Sequence, residues 1–283
     1  MEIRIGCDFH YETDGPTPTV MQVQPYEPGA HQTIQQSWET KPEVSVHDYR
    51  DLYGNTCRRF SMPGSEFHVR FDALVEVSGE PDEVHPEARQ LSVEDLPDDT
   101  LLFTLPSRYC LSDQLSDIAW DMFGDTEPGW RRVQAICNWV HQHIHFQYGT
   151  STPLTTAVDV YEHRVGVCRD FTHLALTFCR AMNIPARYAF GYLPDIGVPP
   201  PDEPMDFCAW FEAYLDDRWW TFDPRNNTRR IGRVLIGRGR DALDVAMVTT
   251  FGAHTLRTMV VWADEVRPAL AAGTPPEERG PSA

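Results

Sequence analysis

Gly166-Val167-Cys168-Arg169-Asp170-Phe171-Thr172-His173 opens the strongest helix signal in the chain. Beyond it Phe171, Leu174, Ala175 and Phe178 fall on one stripe and Pro185 ends the run, which predicts a helix over 168–182. A glycine two residues before a cysteine at a helix start sets the sulfur against backbone N–H groups that lack intrahelical partners, at the positive end of the helix dipole. That location lowers a thiol pKa, and the thiolate is the nucleophile. The same N–H groups can receive the oxygen of a tetrahedral intermediate. On these residues alone Cys168 is either a nucleophile or a small buried side chain at a helix start. Cys179, eleven positions on, lies on nearly the same face but about 16 Å away, so the two cannot bond within one helix.

After Pro185 the pattern turns to strands, at Arg187 to Tyr192, Ala209 to Leu215, Trp219 to Phe222, Val245 to Phe251 and Thr255 to Val261. Before Cys168 it is helical. Ser112-Asp113 reads as a cap for a helix to Phe123, and a longer helix follows Pro128-Gly129 with Trp130, Val133, Ile136, Cys137, Val140 and Ile144 at helical spacing. Further back, Glu66 to Val77 alternates apolar and polar residues at the period of a half-buried sheet, with weaker strands at Asn55 to Ser61 and Ile3 to His10. Gly79 to Thr100, rich in Pro, Glu and Asp, reads as a linker or irregular connection. The division expected is a small antiparallel β domain with its linker over 1–106, an α+β core with a helix on a mainly antiparallel sheet over 107–266, and a disordered tail over 267–283.

A chain of 283 residues with 42 Asp+Glu against 24 Lys+Arg carries a formal charge of -18, which repels nucleic acid and acidic lipid surfaces. No stretch approaches the roughly 18 apolar residues of a membrane span, and the N-terminus lacks a basic segment leading into an apolar run, so the expectation is a cytoplasmic protein. Seven scattered cysteines with no Cys-x-x-Cys pair make neither a disulfide framework nor a structural zinc site. Cys7, Cys57, Cys110, Cys137 and Cys179 read as core residues. No Asp-x-Asp-x-Asp-Gly loop points to calcium, and no cofactor is implied.

Two further segments join Cys168: Asp206-Phe207-Cys208-Ala209-Trp210, and Phe222-Asp223-Pro224. With Pro185-Ala186-Arg187-Tyr188, Gly191-Tyr192-Leu193, Trp219, Ile236 to Ala242 and Thr249-Thr250-Phe251-Gly252, they resemble, in order, bacterial members of the transglutaminase-like superfamily. The resemblance covers about Leu115 to Val266. It implies a papain-like core, with Cys168 as nucleophile and Asp223 as the residue that orients an imidazole. The middle segment of that family reads His-Ala-Trp, and here the histidine position is Cys208.

A thiol at 208 is a poor proton carrier, since its ordinary pKa of about 8.5 leaves it mostly protonated at neutral pH. In a Cys-His pair the imidazole takes the thiol proton and later protonates the leaving amine. Without it the expectation is loss of amide cleavage with survival of thioester or activated-ester chemistry. His173, about 140° around the helix from Cys168, points elsewhere. His254 and His163 are the other histidines weighed as stand-ins, and His141, His143 and His145 scatter around a helix end. Trp210 and Asp206 are the candidate substrate-binding residues. The implied reaction is hydrolysis or acyl transfer through a Cys168 thioester on a peptide, amide or carrier-bound thioester, including a biosynthetic acyltransferase or cyclase. The rivals are a binding protein that has lost its base, a redox-gated Cys168/Cys208 disulfide, and a soft-metal site of Cys168, Cys208 and Asp223.

Overall fold

Alternation at period two builds the N-terminal half: β1 (Glu2–Glu12), β2 (Thr17–Met21), β3 (His31–Lys41), β4 (His47–Arg50), β5 (Thr56–Met62) and β6 (Glu66–Val77). On β6 the residues Phe67, Val69, Phe71, Ala73 and Val75 are at most 1% exposed, and they pair with Tyr11, Phe9, Cys7, Ile5 and Ile3 of β1 across an antiparallel ladder. Burial of each larger side chain of this kind contributes about 1.5–3 kcal/mol. The computed structural model describes residues 1–199 and 203–266. The expected 267–283 tail, and part of the Pro199-Pro200-Pro201 run, lie outside the described residues.

The second half carries α1 (Ser116–Phe123), α2 (Trp130–His143), β7 (His145–Phe146), α3 (Ala157–His163), β8 (Val165–Gly166), α4 (Cys168–Ala181), β9 (Ala186–Tyr192), β10 (Cys208–Leu215), β11 (Arg218–Phe222) and β12 (Val234–Gly239). A four-stranded antiparallel sheet in the order β11-β10-β9-β12 supports α4, which α1, α2 and α3 also contact. The helix is buried all round, from Asp170 through Arg180, rather than along a single stripe. Two of its buried polar residues bond to main-chain oxygens: Thr177 donates to the His173 carbonyl at 2.8 Å, and the Arg180 guanidinium donates to the carbonyls of Ala186 and Arg240. The α1 helix begins at Ser116, later than the Ser112-Asp113 cap predicts, because residues before it form a turn in which Gln114 N–H donates to Leu111 O.

Two C-terminal strands cross back. β13 (Val248–Thr250) pairs with β2, and β14 (Thr255–Glu265) pairs with β1 along its whole length. The resulting sheets run β14-β1-β6-β3 and β13-β2-β5-β4. A division at residue 106 places these strands with the core, whereas their hydrogen bonds lie in the N-terminal sheets. The physical reason is that β1, apolar on its inner face, needs a partner on both edges, and Val261 and Ala263 of β14 continue that buried face. The 79–100 connection is likewise tied to the core: Trp130 N–H donates to Ala88 O, and the Asp82 carboxylate accepts from Arg230 N–H.

Candidate active site

The α4 side of the site is fixed by its own sequence. The parallel pair β7 and β8 aligns Phe146 with Gly166, and Gln147 N–H donates to Gly166 O at 3.0 Å. A Cβ on Gly166 would lie 2.7 Å from Asp170 Cβ, so the turn needs glycine for this close approach. Asp170, fully buried, caps the helix: Oδ2 accepts Val167 N–H at 2.9 Å, while Oδ1 accepts Ser151 Oγ and Arg169 Nε. The first-turn amides of Cys168 and Arg169 have no carbonyl inside the helix to bind, which makes them the donors available to a developing oxyanion.

Cys168 Sγ donates to Phe207 O at 3.8 Å, so its thiol rests against the start of β10. Burial pushes this thiol up to about 11, although the Ala209 amide directed at the sulfur works the other way. That is opposite to the lowering expected from a helix start. Desolvation of the sulfur outweighs the helix end.

Cys208 opens β10 opposite Gly191 and lines the same cavity, about 80 Å³ in volume, as Cys168. Asn226 Nδ2 donates to Cys208 Sγ at 3.9 Å and to Asp223 Oδ2 at 2.7 Å, so a carboxamide spans the gap between thiol and carboxylate. Asp223 Oδ1 accepts Asn226 N–H at 2.9 Å, and Arg233 Nη2 donates to its Oδ2 at 2.8 Å. Arg233 also grips Asp82 through Nε and lies 5.0 Å over the Trp210 ring. Burial works to lower the Arg233 pKa, but Asp223 and Asp82 hold it above its ordinary value. Burial, then the Asp223 charge, raises Cys208 well above the usual thiol range. Both cysteines are free. Among the described residues no group of three His, Cys, Asp or Glu is arranged to hold a metal.

Among the described residues no histidine lines this cavity. His173 is a fully buried neutral imidazole between the Tyr109 and Tyr188 rings, each 5.1 Å away, with Nε2 accepting Ala242 N–H at 3.2 Å. Burial, then Arg169 and Arg180, pushes its pKa well below the ordinary value. His254 is exposed, shares a hydrogen bond with Thr250, and packs by Tyr11 on the N-terminal sheets. His163 ends α3 beside Asp159 and Thr155, around a different depression. His141 donates to the Arg225 carbonyl at 2.9 Å and thereby steadies the turn after Asp223.

The structure therefore brings Cys168, Cys208 and Asp206 to one cavity, with Asp223 one carboxamide behind Cys208. Trp210 is elsewhere: 2% exposed, it packs against Arg233. Sequence reading did not single out Asn226, Arg225, Arg230 and Arg233, since arginines after a turn read as solvated. The available signal was the Asp-Pro-x-Asn order, in which an Asp side chain turns back on an amide three residues ahead. Phe146, on the two-residue strand β7, and Tyr148, in the turn after it, also line the cavity and belong to no sequence pattern.

Residues 117–224 match the core of the transglutaminase-like superfamily. A solved structure from Cytophaga hutchinsonii, provisionally named a cysteine protease, is 30% identical and superposes with a TM-score of 0.86 over 96% of this chain and 92% of that one. An uncharacterised protein of Mycobacterium leprae is 29% identical over 219 residues, 74% of this chain and 76% of that one. One from Mycobacterium tuberculosis is 26% identical over 215 residues, 69% and 68% of the two chains.

Proposed function

The chain belongs to the transglutaminase-like superfamily, and from that premise we propose that it is a cysteine-dependent enzyme whose Cys168 takes up an acyl group as a thioester and whose preferred donors are thioesters or activated esters rather than amides. The observation that carries this reading is the pairing of a well-built nucleophile turn with a proton relay that has closed without an imidazole. Asp223 is bonded to Arg233 and Asn226, and Cys208 stands at the histidine position. An amide leaves only when its nitrogen is protonated as the C–N bond breaks; a thiolate is a far better leaving group, and one of low pKa leaves without a proton. The acyl group then passes to water or to a second nucleophile, giving hydrolysis or acyl transfer, cyclisation included. Asp206 borders the cavity in which the acyl donor sits. All seven cysteines are free, which supports a reducing, cytoplasmic setting. No helix among the described residues is long and apolar enough to cross a membrane.

The experiment is intact-mass analysis after mixing with S-phenyl thioacetate and, separately, with an acetyl p-nitroanilide. Acetylation confined to Cys168 by the thioester, with no p-nitroaniline released, is the expected result. Acetylation that survives Cys168→Ser refutes the reading. The raised Cys168 thiol also favours a second reading, a binding protein that keeps the groove without turnover, and the absence of any acyl adduct selects it.

A further inference from the structure

The reading of Cys168 as an acyl carrier leaves its proton without a receiver, because no histidine among the described residues lines the cavity. Resting on that reading, we propose that Asp206 is the proton carrier of this site, taking the Cys168 thiol proton during attack and returning it to the leaving group.

Position is the first argument. Asp206 lines the cavity with Cys168 and Cys208, and it directly precedes Phe207, whose carbonyl accepts the Cys168 thiol at 3.8 Å. Availability is the second. Each other buried or half-buried carboxylate near the sulfur is held by a cation: Asp170 by Arg169, Asp223 by Arg233, Asp195 by Arg230. Asp206 is bonded at Oδ1 by its own neighbour, Phe207 N–H, at 2.7 Å, and no cation pairs with it among the described residues. Glu203, the remaining carboxylate on the rim, is exposed and so stays fully solvated.

Electrostatics agrees. Burial raises the Asp206 pKa above the ordinary carboxylate range, which makes it a better base than a surface aspartate. Among the carboxylates that act on Cys168, its charge has the largest effect, ahead of Asp170 and Asp223. The other titratable or charged groups around the cavity are Tyr148, Asp195, Glu203, Cys208, Arg225 and Arg230.

The step balances. For a donor R–CO–SR′, the Cys168 sulfur bonds to the acyl carbon as the S–H proton passes to an Asp206 oxygen. The tetrahedral oxyanion, held at the Cys168 and Arg169 amides, collapses; the C–SR′ bond breaks, and the Asp206 proton goes to the departing R′S⁻. The products are R–CO–S–Cys168 and R′SH, with the carboxylate restored.

The test is single-turnover acetylation of Cys168, read by intact mass, with S-ethyl and S-phenyl thioacetate in the wild type, Asp206→Asn and Asp206→Glu. An ethanethiolate is a poor leaving group that needs the proton, and a thiophenolate is a good one that does not. Asp206→Asn should slow the S-ethyl donor about 10²-fold and the S-phenyl donor less than about tenfold, with Asp206→Glu restoring most of the loss. If Asp206 is only a neighbouring negative charge, its neutralisation favours the Cys168 thiolate, and both donors react faster in Asp206→Asn. Acceleration, or an equal change for both donors, overturns the proposal and leaves the Cys168 reading standing. A wild type that neither donor acetylates at Cys168 overturns both.

Discussion

The α4 wall and the β10 wall of the cavity face each other across one thiol contact, and they are organised around different ends. On the α4 wall every polar group serves to hold Cys168 in place: Gly166 admits Asp170, and Asp170 binds Val167, Ser151 and Arg169. On the β10 wall the polar groups serve one another. Arg233 satisfies Asp82 and Asp223, and Asn226 satisfies Asp223 and reaches Cys208. The difference teaches that, under the proposed chemistry, the group that attacks and the position of the missing imidazole can be altered separately, because the polar bonds that brace each wall lie within it.

Removing the proposed nucleophile is the most severe way to break the comparison. Cys168→Ser should abolish acylation altogether, since a serine hydroxyl is far less acidic than a thiol and a carboxylate such as Asp206 is too weak a base to activate it. The measurement is intact mass with the S-phenyl donor. Residual acylation at residue 168 would show that the cavity contains a stronger base than the structure displays.

Restoring the imidazole tests the opposite wall. Cys208→His should fall short of the roughly 10²–10⁴-fold that general acid–base catalysis supplies, because Asp223 is already bonded to Arg233 at 2.8 Å and cannot orient the ring freely. Adding Arg233→Gln to Cys208→His should raise p-nitroanilide hydrolysis above the single variant. Equal rates would mean that the Arg233 contact does not restrain Asp223.

The same contact has a stability consequence. The Arg233 side chain is 8% exposed and that of Asp223 is 3% exposed, so Arg233→Met leaves a buried carboxylate at 223 and a half-buried one at 82 with their cation gone. Breaking a buried pair in this way costs about 3–5 kcal/mol, readable as a lowered urea midpoint. A loss below about 1 kcal/mol would place the pair in the solvent-screened class.

How much of this was legible follows the same line between walls. Cys168 and its helix were readable because an amphipathic period, a glycine and a terminating proline all sit within twenty residues of each other, and β6 because its alternation is unbroken. β3 is not legible since His31 to Lys41 has no fully buried residue and carries no apolar alternation, and β12 is not since Val234 to Gly239 contains two glycines. The return of β14 to β1 joins residues some 250 positions apart, and no local pattern encodes a partner at that range. At the site, Cys208 and Asp223 were legible as positions in a resemblance, whereas Arg233 was not: its burial depends on Asp82, from a segment that reads as a linker.

The smallest effect separates the histidine that is present from the one that is missing. His173 is buried and neutral, with a folded pKa pushed well below its ordinary value of about 6.5 by burial and by Arg169 and Arg180. Below pH 6.5 the unfolded chain binds a proton at this residue and the folded chain does not, so stability is intact above that pH and declines as pH falls toward the folded pKa. The slope is about 1.4 kcal/mol per pH unit within that window. His173→Gln should flatten the urea midpoint between pH 6.5 and 5 relative to the wild type, while Cys208→Ser, on the other wall, should leave the slope unchanged. An unchanged slope in His173→Gln would show that His173 titrates normally, and that burial with Arg169 and Arg180 nearby does not keep its ring neutral.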